Sequence, residues 1–155
     1  MAVRELARAD DGSWLICLVD VGADGPLPSR PGVRRLLTVV DGPVLGIEVE
    51  GATHVLEPQR PFAVPGPAVV GGAAVGGAVV VASVPEGPVR VLDVVVDDSV
   101  DSFVTVLELG RSSVLPLAGD QVAHVIKGTE SPDVVVGPGE VRGRCTVAVV
   151  TLQRP

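Results

Sequence analysis

Residues 23–49, ADGPLPSRPGVRRLLTVVDGPVLGIEV, decide how the rest of the chain is read. Pro28, Pro31 and Gly32 brace a loop that carries Arg30, Arg34 and Arg35, and two apolar runs, 35–40 and 44–50, follow directly. Proline fixes φ and glycine admits tight turns, so this loop holds its arginines in few conformations. A braced polar loop leading into a strand pair is how small β-barrels present charged groups at a cavity mouth.

The surrounding composition points the same way. Hydrophobic residues make up 46% of the 155 positions but aromatics only 2%, so the core has to be aliphatic, and valine is the commonest residue. β-Branched side chains suit a pleated sheet, and 19 Gly with 14 Pro supply frequent turns. Strands are expected at 14–21, 35–40, 44–50, 53–56, 62–64, 69–70, 78–84 and 89–96, then at 102–109, 113–117, 121–127, 133–136 and 144–152. That rhythm marks an all-β sandwich or barrel. Helical periodicity is nearly absent; residues 3–9 suit a short helical turn or a strand equally.

The formal charge of −7, with Lys127 the one lysine, argues against nucleic acid as a partner. It does not exclude a small anion, because local arginines outweigh the global field at contact distance. The charged start, MAVRELARADD, has no apolar leader, and the apolar stretch 68–84 is too short and glycine-rich to span a membrane. A cytoplasmic protein is expected, with no membrane partner and with Cys17 and Cys145 as buried free thiols.

An internal echo suggests two similar units. PFAVPGPAVV (61–70) aligns without gaps on PDVVVGPGEV (132–141), and upstream LLTVVDG (36–42) matches FVTVLELG (103–110) with one insertion. The acidic stretch Asp97-Asp98-Ser99-Val100-Asp101 marks the seam. The expected division is therefore 1–97 for a first barrel and 98–155 for a smaller one packed on it.

Arg4-Glu5-Leu6-Ala7, Trp14, Asp24-Gly25-Pro26, Pro31-Gly32-Val33 and Arg35 occur in the order and, from Trp14 to Arg35, in the register of a known pattern. Phe62 with Gly66, and Gly87-Pro88 with Leu92, continue it. On these residues the chain resembles the HutD/Ves family over residues 4–96. The resemblance implies a bicupin, two double-stranded β-helix (jelly-roll) barrels in one chain. It also implies a place in bacterial histidine utilisation or stress responses, and a small ligand such as formylglutamate or a related carboxylate. Arg4 and Glu5 enter as ligand-binding candidates through this resemblance alone. The chain departs from the family pattern at Leu15, Cys17, Pro67 and Val91, where polar residues have become apolar or changed character.

The residues themselves nominate Arg35 and Asp93. Arg35 opens an apolar strand, where its guanidinium could turn inward and clamp a carboxylate; alternatively the three arginines are solvated or pair with Asp24 and Asp41. Asp93 interrupts an aliphatic strand, so it faces solvent or is matched to an arginine, with Arg35 a suitable partner. Alternation puts Val91, Asp93 and Val95 on one face. His54, beside Thr53 and Glu57, is a further pocket candidate, and Trp14 a wall or core residue.

Other chemistry finds little footing. His54 and His124 form no H-x-H pair, so neither metal nor another cofactor is expected. No Ser or Cys has a base nearby in sequence, and the 71–77 glycine run lacks the Lys and Ser/Thr of a phosphate cradle. The expected function is a non-catalytic binding or regulatory bicupin for a small carboxylate metabolite, possible as a homodimer. Two alternatives stay open: a metal-independent isomerase or hydrolase using Asp93, and an assembly protein that has lost its pocket.

Overall fold

The computed structural model describes residues 1–30, 32–65 and 79–155, and for 69–70 and 73–74 the strand backbone alone. Pro31, Gly66, Pro67 and the glycines of the 71–77 run, all singled out above, lie outside the described residues. The chain divides into two compact units, Met1–Asp98 and Ser99–Pro155.

The first unit carries β1 (Ala2–Arg8), β2 (Trp14–Val21), β3 (Gly25–Pro26), β4 (Arg34–Asp41), β5 (Leu45–Val49), β6 (Ala52–Leu56), β7 (Phe62–Ala63), β8 (Val69–Val70), β9 (Ala73–Ala74), β10 (Val80–Ser83) and β11 (Val89–Val96). The second carries β12 (Asp101–Leu109), β13 (Val114–Leu117), β14 (Gln121–Lys127), β15 (Val134–Val136), β16 (Gly139–Arg142) and β17 (Cys145–Gln153). Residues 2–8 are thus strand: Leu6 forms a bulge opposite β2, which breaks the plain alternation that would have announced it.

In the first unit one sheet runs β1-β2-β11-β4-β7 and another β3-β10-β5-β6, with β8 and β9 as a separate hairpin. Their inner faces meet in one aliphatic core. Val19, Val21, Leu37, Val39, Val89 and Val91 come from the first sheet, and Leu45, Ile47, Val49, Leu56, Val80 and Ala82 from the second. Each Val, Leu or Ile side chain among them, fully buried, contributes about 1.5–3 kcal/mol. Gly42 closes the β4–β5 turn at φ +95°, and a Cβ there would sit 2.5 Å from the Pro88 carbonyl oxygen. Only glycine lets that turn tuck against the start of β11.

The second unit repeats this order in shorter form, with sheets β12-β17-β14-β15 and β13-β16. Its topology matches β2-β11-β4-β7 and β3-β10, so β14 is the counterpart of β4. The upstream sequence echo, which set 36–42 against 103–110, is corrected accordingly. It paired β4 with β12, because aliphatic alternation looks alike in any strand. The downstream echo sets β7 against β15, in agreement with the topology.

Candidate functional site

At one end of the first unit's inner face the aliphatic core gives way to polar side chains. Strand register lines up Glu5, Cys17, Asp93, Leu37 and Phe62 across β1, β2, β11, β4 and β7. Cross-strand partners share a face, so these five side chains form a single row. Arg35, two residues before Leu37 on β4, lies diagonal to Asp93 on the same face.

Arg35 and Asp93 form a buried ion pair. Asp93 has no exposed surface and Arg35 only 5%. The Arg35 Nη2 donates to Asp93 Oδ2 at 2.6 Å and its Nε to Oδ1 at 3.4 Å, while Nη1 donates to the Pro28 carbonyl at 3.0 Å. Three of the five guanidinium N–H groups therefore have described partners. Two buried charges are tolerated because they are matched bidentately, and removing one would strand the other. The loop read from the sequence does its bracing here: Pro28 supplies the carbonyl that fixes the third direction. Arg34 points elsewhere and donates to the Asp97 carbonyl at 3.2 Å, and Asp24 accepts from the Val84 amide at 2.9 Å.

The remaining candidates are placed unevenly. Glu5 shares the Asp93 row, where it accepts from Arg8 Nε at 2.7 Å. Arg4 faces the other side of the sheet, opposite Leu18, because neighbouring residues of a strand alternate. Trp14 likewise pairs with Val96 on the face away from Asp93, half-buried, so it is no wall of this row. His54 lies opposite Ile47 on the inner face of the second sheet, its ring 4.9 Å from that of Phe62. Its Nε2 is buried and has no hydrogen-bond partner among the described residues.

Two residues that the sequence reading left aside belong here. Cys17 sits between Glu5 and Asp93 in the row. Burial pushes its thiol pKa up, the charge of Arg30 opposes this, and Asp93 and Glu5 add to the rise. Arg30 thus reaches the same end of the inner face. Its signal in the sequence, an arginine between Ser29 and Pro31 in a braced loop, is shared by Arg34 and Arg35 and could not rank the three.

Among the described residues no group of three or more His, Cys, Asp or Glu is placed to hold a metal ion, and the two histidines fall in different units. No helix among the described residues is long and apolar enough to cross a membrane.

Comparison with known proteins follows the same lines. The HutD family model matches residues 2–137, most of the chain. The chain belongs to the HutD family. No curated protein sequence matches it. Among solved structures it is similar to the PA5104 protein of Pseudomonas aeruginosa PAO1, at 17% identity and TM-score 0.72, covering 99% of this chain and 88% of that one. HutD from Pseudomonas fluorescens SBW25 follows at 20% identity and TM-score 0.61, covering 97% and 88%. The protein Ylba from E. coli shares 12% identity at TM-score 0.60, covering 99% and 82%. At these identities the likeness is one of fold. This HutD-family chain is an all-β protein, and what it binds has to be argued from its own residues.

Proposed function

We propose that this HutD-family cupin binds a small carboxylate metabolite at the polar end of the first unit's inner face and does not turn it over, acting in the cytoplasm as a sensor or regulator. The observation that supports this reading is the buried, three-way-held Arg35. Its guanidinium is fixed by Asp93 and the Pro28 carbonyl, and two N–H groups without a described partner remain to receive a carboxylate oxygen. Binding rather than catalysis follows from Asp93. To act as a general base it would have to leave Arg35 unpaired in an apolar wall, a costly step. Two free, buried thiols accord with a reducing compartment.

The test is a thermal-shift and calorimetric screen of carboxylates, N-formylglutamate among them, on the wild type and on the double variant Arg35→Met/Asp93→Leu. The paired change removes both charges together and so spares the fold. Saturable binding to the wild type that is lost in the folded double variant supports the reading. Binding of equal strength to both proteins would sink it, and so would the absence of any binding.

A homodimer is a second, compatible proposal. Edge strand β12 presents Phe103, which is 53% exposed, and open strand edges with apolar side chains favour pairing. Light scattering at rising concentration should show a mass increase that Phe103→Ser removes.

A further inference from the structure

Arg30 is the arginine of the loop that the ion pair leaves unused. Its side chain is half-buried, and its Nε is sealed from solvent with no hydrogen bond among the described residues. A guanidinium N–H in that position is costly unless something completes it. Arg30 also lies at this end in space, because its guanidinium is near enough for its charge to act on the Cys17 thiol, and Cys17 is the cross-strand neighbour of Asp93 and Glu5.

The charges at this end of the inner face can be matched by name. Arg35 is paired with Asp93, and Arg8 with Glu5. Arg30 has no ion pair among the described residues, so its positive charge is left over. We propose that Arg30 is the specificity-determining residue of the site and that it selects a ligand carrying a single negative charge. Arg35, already neutralised by Asp93, offers that ligand hydrogen bonds and position, whereas Arg30, only half-buried, supplies its counter-charge. A neutral ligand leaves Arg30 unmatched. A dicarboxylate brings a second charge into a low-dielectric end where no cation remains to meet it. The inference rests on the reading of this end as a carboxylate site. It also narrows that reading, because formylglutamate has two carboxylates.

The experiment compares monomethyl glutarate with glutarate, which are close in size and differ by one charge, by calorimetry on the wild type, Arg30→Gln, Arg30→Lys and Arg35→Met/Asp93→Leu. Circular dichroism and melting establish that each variant is folded. The expected result is that the wild type prefers the monoester by about tenfold or more, the step a lost charge-assisted hydrogen bond produces. Arg30→Gln should abolish that preference, and Arg30→Lys, which keeps the charge, should restore part of it. Glutarate binding as tightly as the monoester would overturn the inference. Unchanged affinities in Arg30→Gln, with binding lost in the double variant, would overturn the role of Arg30 and leave the site standing. No saturable binding of either compound or of N-formylglutamate to the wild type would overturn both.

Discussion

Strands β11 and β17 occupy the same place in their units, β11 between β2 and β4 and β17 between β12 and β14, and they present different chemistry inward. β11 offers Val89, Val91 and then Asp93, which meets Arg35 from β4. β17 offers Cys145, Val147 and Val149 to a core completed by Leu117, Ala123, Val125 and Val141. One unit therefore has a charged end to its inner face, and in the other the core cluster is built of aliphatics and a single thiol. Topology alone does not distinguish the two inner faces; a paired acid and arginine at the end of an aliphatic core does.

The contrast breaks most visibly at Asp93. Asp93→Ala leaves Arg35 buried without its partner and should cost about 3–5 kcal/mol in urea denaturation. The double variant Arg35→Met/Asp93→Leu should lose little or gain stability, because the charges leave together. A single variant as stable as the wild type would mean the pair is not sealed from water.

In the second unit the equivalent blow is a plain cavity. Leu117→Ala should cost about 2–4 kcal/mol by the same measurement and leave the affinity for carboxylates unchanged. A loss of binding would show that the charged end is not self-sufficient.

The two cysteines sharpen the comparison further. Burial pushes both thiols up, Cys17 with the help of Asp93 and Glu5, Cys145 with the help of Glu130. Both should label slowly with a thiol reagent in the folded protein and fast in urea. Cys145 should react first, because it lines a surface hollow of about 300 Å³ with Lys127 and Arg144. The raised values also carry a pH dependence. The native chain holds these protons longer than the unfolded one, so this stabilisation is complete below the ordinary thiol value of about 8.5. It is lost as pH rises through the raised values. Denaturation midpoints should be flat near neutrality and fall at alkaline pH, less steeply in Cys17→Ser.

The smallest effect belongs to the outer ion pair. Arg90 and Asp20 lie 2.7 Å apart with about half of each side chain in solvent. Asp20→Ala should change stability by less than about 1 kcal/mol, against the several expected for Asp93→Ala.

How much of this could be read from the sequence depended on how strongly each strand alternates. Trp14–Val21, Val89–Val96 and Gln121–Lys127 match the expected bounds residue for residue, because aliphatic runs end there at turn or charged residues. Gly25–Pro26 and Gly139–Arg142 were missed: each is a strand because a partner supplies the hydrogen bonds, and glycine, proline or charge hides the pattern. The match of Asp93 to an arginine was legible because an acid in an aliphatic strand demands a partner. Arg4 and Trp14 lie on the face away from the row, which sequence order alone does not reveal, because it says nothing of which face a register selects. Arg30 and Cys17 went unrecognised because their meeting depends on loop geometry, and an arginine in a loop or a cysteine in a strand is ordinary by itself.

The position of β11 between β2 and β4 has a consequence for how the chain is made. The strand that fills the middle of the first unit's larger sheet is the last of that unit to leave the ribosome, and the same holds for β17 between β12 and β14. Until Val96 has emerged, the β1–β2 and β4–β7 pairs lack the strand that joins them into one sheet, and Arg35 waits for Asp93. A nascent chain halted before residue 89 should be digested readily by protease, and one halted well beyond Asp98 should yield a resistant fragment.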